Sequence, residues 1–174
     1  MVKILGIGKI KNINHNDLKV LYLKLKEKGI FKYPVNNFAR FNQDSKLVSL
    51  AVALALHDAK VGYGKDKKQN IGIVATKKNA ALDAQLDYFK DYLNSGRVIG
   101  RGNLFIYTLP TSPLAEAAIH FGLSGPLFYL GFSDNLKDRL IGFAKQMIES
   151  AQVRILLVVI FNHRDTTCFV IGKR

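Results

Sequence analysis

Cysteine is almost missing from this chain: Cys168 is the only one in 174 residues. An internal disulfide is therefore excluded, and a reducing, cytoplasmic location is expected. Long apolar runs are missing too. The longest, residues 47–56, falls well short of the roughly 20 residues that a membrane helix needs, so no span is expected. The start, Met1-Val2-Lys3-Ile4-Leu5-Gly6, has no basic region followed by a long apolar one, so no secretory leader is expected. His, Cys, Asp and Glu form no cluster with metal-ligand spacing, and neither a metal nor a cofactor is expected. Gly6-Ile7-Gly8 lacks the third glycine and the following helix of a dinucleotide turn. With no internal repeat and no linker, residues 1–174 read as one domain.

Acidic residues are scarce. Asp plus Glu is 13 against 26 for Lys plus Arg, a formal net charge of +13. Such a field draws in anionic partners. Nucleic acid is one candidate, but there is no nucleic-acid motif. The basic residues are also scattered over Lys24, Lys26, Lys28, Lys32, Lys65, Lys67, Lys68, Lys77, Lys78, Arg97 and Arg101, with no aromatic-interleaved stripe. An acidic protein is a second candidate, and a plainly solvated lysine-rich surface is a third. What remains is ordinary globular material, 48% hydrophobic and 22% charged.

Residues 2–7 read as a buried strand. Asn16 or Asp17 can cap a helix that runs to Lys28 and stops at Gly29. Asp44 or Ser45 can cap a second helix to about residue 60, apolar nearly all round and so packed on most sides. Asn70-Ile71-Gly72-Ile73-Val74-Ala75 is a short buried strand. Residues 80–93 form an amphipathic helix with Leu82, Leu86, Phe89 and Leu93 at helical spacing. Residues 94–103 form a loop in which Arg97 and Arg101 either hold a phosphate or stay solvated. Residues 104–109 are a short apolar segment ending at Pro110. Pro113 suits the first turn of a small-residue helix over 113–121. Strands follow at 126–130, 154–161 and 166–171, with a helix over 135–150 between the first two.

The run Ala117-Ala118-Ile119-His120-Phe121-Gly122-Leu123-Ser124-Gly125-Pro126, then Leu127-Phe128-Tyr129-Leu130-Gly131-Phe132-Ser133-Asp134-Asn135, carries the most information. A small-residue helix ends at glycine, a Gly-Pro turn follows, and a short apolar strand leads into a new helix. It resembles the approach to the nucleophile in the β-ketoacyl synthases of fatty-acid and polyketide synthesis. Ala55-Leu56-His57-Asp58-Ala59 is similar to a further segment of that family. In the family, the helix after the strand opens with a reactive cysteine. Here Phe132, Ser133 and Asp134 stand there, so Ser133 marks a vestigial nucleophile position and no catalytic residue is assigned. Ser133 reads more simply as a helix cap, and Cys168 as a small buried hydrophobe.

The resemblance covers the whole chain against only the N-terminal half of the family's fold, as a truncated relative would. It implies a three-layer α/β thiolase-like half-fold with helices on both faces of a five-stranded, mostly parallel sheet. The implied strand order is 3-2-1-4-5, with the last strand antiparallel. The family's assisting histidines are not matched by His15, His57, His120 or His163. The expected function is therefore a non-catalytic synthase-like protein of a fatty-acid or polyketide-type pathway. It would bind an acyl carrier protein or a condensing-enzyme partner, as a homodimer or heterodimer through strand 127–130. The charged face of helix 135–150 suits a half-fold that stands alone. Two alternatives stay open: an enzyme of other chemistry using Ser133, Asp134 and a nearby histidine, and a basic nucleic-acid-binding α/β domain.

Overall fold

The computed structural model describes residues 1–64, 67–98, 100–132 and 134–173. In chain order the elements are β1 (Val2–Ile10), α1 (Asp17–Glu27), a 3-10 turn (Phe38–Arg40), α2 (Gln43–Asp58), β2 (Ile71–Thr76), α3 (Leu82–Asn94), α4 (Gly102–Ile106), α5 (Ser112–Phe121), β3 (Leu127–Tyr129), α6 (Leu136–Glu149), β4 (Ile155–Phe161) and β5 (Thr166–Lys173).

The five strands form one mixed sheet between helices, the expected α/β architecture. β2 pairs parallel with both β3 and β4, while β5 runs antiparallel to β4. The chain turns from β4 into β5 over Asn162–Asp165, where the Asn162 side chain accepts from the Arg164 and Asp165 amides at 2.9 and 2.8 Å. β2 is buried on both faces and β4 nearly so, which is why both read as unbroken apolar runs.

The strand order departs from expectation in one respect. Read from β3, it is 3-2-4-5-1: β1 lies at the outer edge, antiparallel to β5, rather than between β2 and β4. Burial explains this. A strand between β2 and β4 would be covered on both faces, and β1 carries Lys3 and Lys9, both exposed. At the edge one face can stay wet. The other face lies against α2, and there Gly6 and Gly8 are required. A Cβ on Gly8 would fall 2.0 Å from the Ala51 carbonyl oxygen, and one on Gly6 would fall 2.4 Å from the Ala59 nitrogen.

Two cores flank the sheet. The larger packs α2, α5 and α1 on one face, with Leu18, Leu47, Leu50, Leu114 and Phe121 inside it. The smaller packs α6 on the other through Leu140, Ala144, Met147 and Ile148. Asn42 caps α2, its side chain accepting from the Ser45 amide at 2.9 Å, in place of the expected Asp44 or Ser45. The short apolar segment at 104–109 contains most of α4. No residue of α3 is buried, although its apolar stripe suggests a core-facing helix.

Candidate functional site

β2, β3 and β4 run parallel, so their carboxyl ends share one edge of the sheet. In open α/β sheets, crevices for ligands form at that edge. Lys77 follows β2, residues 130–134 follow β3, and Asn162 and His163 follow β4.

Lys77 is the unusual residue. Its side chain is only 4% exposed, yet it carries an ammonium group. Its Nζ donates to Asp44 Oδ2 at 2.8 Å and to Asp83 Oδ2 at 3.1 Å. Asp44 comes from the first turn of α2 and Asp83 from the first turn of α3, where a carboxylate also suits the helix dipole. His163 Nε2 lies 3.3 Å from the same Asp83 oxygen. The Tyr129 hydroxyl ties β3 to this corner: it accepts from the Lys77 amide at 3.1 Å and donates to the Lys77 carbonyl at 2.6 Å. A cavity of about 120 Å³ opens beside the cluster, lined by Asn42, Asp44, Lys77, Asp83, Tyr107 and His163 among others.

Burial opposes the Lys77 charge, but hydrogen bonding to Asp44 and the two carboxylate charges outweigh it, and its pKa stands above the ordinary lysine value. Burial pushes Asp44 upward against the pull of Lys77. An amine held as an ammonium has no lone pair to offer as nucleophile or base. The cluster fastens three elements at the end of the sheet. Sequence reading missed it, although a lysine directly after an all-apolar strand was a usable signal.

In sequence, the expected nucleophile position falls between β3 and α6. Ser133 lies outside the described residues. Phe132 packs partly against the smaller core, with the Arg139 guanidinium 5.9 Å from its ring. Asp134 lies 3.3 Å from Arg139, both side chains being more than half exposed. The N-cap position of α6 falls at Asn135, in the left-handed region at φ 45°, two residues after the position expected from the sequence. Cys168 is in β5, opposite Gly8 on one side and Val159 on the other. It is fully buried, and burial pushes its thiol pKa strongly up.

The histidines are dispersed. His15 and His57 are exposed, and His163 belongs to the Lys77 cluster. His120 sits among the rings of Tyr33, Tyr63, Phe31 and Phe121, at 4.7 to 6.0 Å between centroids. Among the described residues its Nε2 is buried without a hydrogen-bond partner, and burial pushes the imidazole down to about 4. Of the two arginines read as phosphate candidates, Arg101 is paired with Asp91 and Arg97 sits in a left-handed turn at φ 62°. Among the described residues, no group of His, Cys, Asp and Glu is arranged to hold a metal ion, and no helix is long and apolar enough to cross a membrane.

No protein-family model and no curated protein matches the sequence. Solved structures do match its shape. One is the ketosynthase ApeO in complex with its chain length factor ApeC from Xenorhabdus doucetiae, with TM-score 0.69, 12% identity, 99% of this chain and 79% of that one. A second is the AntDE:AntF complex of a type II polyketide synthase acyl-carrier protein with its ketosynthase bound to the hexaketide. It has TM-score 0.71, 16% identity, 99% of this chain and 62% of that one. A third is a β-ketoacyl synthase from Burkholderia phymatum STM815, with TM-score 0.70, 12% identity, 99% of this chain and 59% of that one. This chain thus spans about three fifths of the second and third and about four fifths of the first. From β1 to β5 it carries the thiolase-like α/β fold of the ketosynthases and chain length factors.

Proposed function

We propose that this protein is a non-catalytic ketosynthase-like subunit of a fatty-acid or polyketide-type assembly, and that it acts by pairing with a condensing-enzyme subunit. The observation that carries the reading is the fate of the thiol. Condensation on this fold needs a thiolate to hold the acyl chain and donors for the developing oxyanion. The single cysteine is sealed in β5, opposite Val159 and Gly8, and its thiol is held protonated by burial. The approach to α6 offers Phe132, Ser133 and Asp134 instead.

Pairing is supported by β3. It is hydrogen-bonded to β2 on one side only among the described residues, so its other edge is open. Phe128, in its middle, is 39% exposed. An open apolar edge strand asks for a partner. That other proteins of this shape appear in ketosynthase–chain length factor and ketosynthase–carrier protein complexes agrees with this.

The test combines an activity assay and a pairing assay. Purified protein given acyl and malonyl thioesters should form no condensation product, and Ser133 should take no acyl label. Ser133→Cys should not restore turnover, because no histidine of this chain stands in the family's assisting positions. Co-expression with a ketosynthase subunit should yield a complex. Turnover by the unmodified protein that disappears in Ser133→Ala would overturn the reading.

A further inference from the structure

Beside β3, a groove of about 500 Å³ runs between α5 and the start of the strand. Its floor is apolar and small: Ala115, Ala118, Leu123 and Leu127, with Ile119 standing 79% exposed on its wall. Among the described residues, Lys67 and Lys68 are the charged ones that line it. The lysines sit on a fixed backbone. Gly122 ends α5 at φ 66° and lies so close to the turn before Lys68 that a Cβ would be 2.4 Å from the Lys67 carbonyl oxygen. The Gln69 amide donates to the Gly122 carbonyl at 2.8 Å, and the Ser124 amide donates to the Gln69 carbonyl at 2.8 Å. No carboxylate is among the described residues that line the groove. The acid nearest in sequence on α5, Glu116, accepts instead from the Tyr107 hydroxyl at 3.4 Å.

We infer that this groove takes an apolar helix flanked by carboxylates, supplied by a non-identical acidic partner, and that the same charges disfavour a second copy of this chain. The inference rests on the pairing proposed above and adds which partner the edge selects. Two-fold pairing of β3 with its own copy sets the same patch against itself. Lys67 and Lys68 would then face a surface with the same lysines, and each copy brings a net charge of +13. Like charges set together at an interface suppress that pairing, and opposite charges speed the alternative. The apolar floor supplies contact, and the lysines decide between partners.

The experiment uses the full chain and two synthetic helical peptides with the same Leu/Ala face, one flanked by glutamates and one by lysines. Binding is read by fluorescence anisotropy, and solution mass by light scattering. The glutamate peptide should bind at least tenfold more tightly than the lysine peptide. The double variant Lys67→Glu, Lys68→Glu should reverse that order, and Ile119→Asp should weaken both. The protein alone should be monomeric at micromolar concentration in low salt. Equal binding of the two peptides, no binding of either, or a low-salt homodimer untouched by the double charge reversal would overturn the inference. If complex formation with a ketosynthase subunit is lost in Phe128→Lys but unchanged in the double variant, the pairing stands and this inference falls.

Discussion

Two side chains, Lys77 and His120, carry the clearest consequences of burial, and they differ in how burial is answered. Lys77 is compensated by two carboxylates 2.8 and 3.1 Å away. Removing it alone strands Asp44, so Lys77→Ala should cost about 3–5 kcal/mol in denaturant unfolding. The paired change Lys77→Met with Asp44→Leu should recover most of that loss, because an apolar pair needs no compensation. A double variant as unstable as the single one would show that the lysine acts otherwise. His120 is answered by leaving it neutral. The unfolded imidazole takes a proton near 6.5, and the folded one only near 4. Stability from this residue is therefore full above about pH 6.5 and is lost as pH falls toward 4, by roughly 2 kcal/mol after allowance for partial exposure. Asp44, displaced upward, works in the opposite direction. The measurement is thus the difference between wild type and His120→Phe across that range, where the wild type should lose more. Parallel pH profiles would contradict it.

The elements show what a sequence can and cannot say. β2, β4, α2 and α6 were legible because burial writes itself directly as an unbroken apolar run or as one apolar face. The place of β1 was not, because its glycines report a close approach without naming what approaches, and only α2 supplies the answer. Lys77 and Asp44 are 33 positions apart, and no local pattern joins them. The reading of Ser133 as a vestigial nucleophile position falls outside the described residues. α3 is the sharpest case: its spacing predicts a helix and gives a face, yet not what covers that face. Leu86 is 46% and Phe89 55% exposed, whereas Leu50 of α2 is sealed. Leu50→Ala should therefore cost about 2–5 kcal/mol, and Leu86→Ser or Phe89→Ser within roughly 0.5 kcal/mol. Thermal melts of the three variants check this, and a large loss at Leu86 or Phe89 would mean that α3 is covered in the isolated protein.

At the scale of the molecule, the sheet ends in two different edges. β1 has β5 on one side and lysines at positions 3 and 9 that blunt it against further pairing. β3 is three residues long, without charge or proline, and its apolar side chains continue into grooves on both faces: α5 with Lys67 and Lys68 on one, Phe143 and Met147 of α6 on the other. Association is therefore expected at β3. A charge is best placed at Phe128. Its ring touches only Phe143, at 5.9 Å between centroids, among the described aromatic contacts, so the fold loses little. Tyr129 is a poor choice, because its hydroxyl holds both backbone polar groups of Lys77 and its loss would confuse unfolding with dissociation. Phe128→Lys should leave the melting midpoint within a few degrees of wild type and reduce complex formation with a ketosynthase subunit at least tenfold. Light scattering and co-purification read the second, and circular dichroism the first. A complex that survives Phe128→Lys intact would place the partner elsewhere. The exposed face of α3 would then be the next surface to test, because Leu82, Leu86, Phe89 and Leu93 all stand exposed along it.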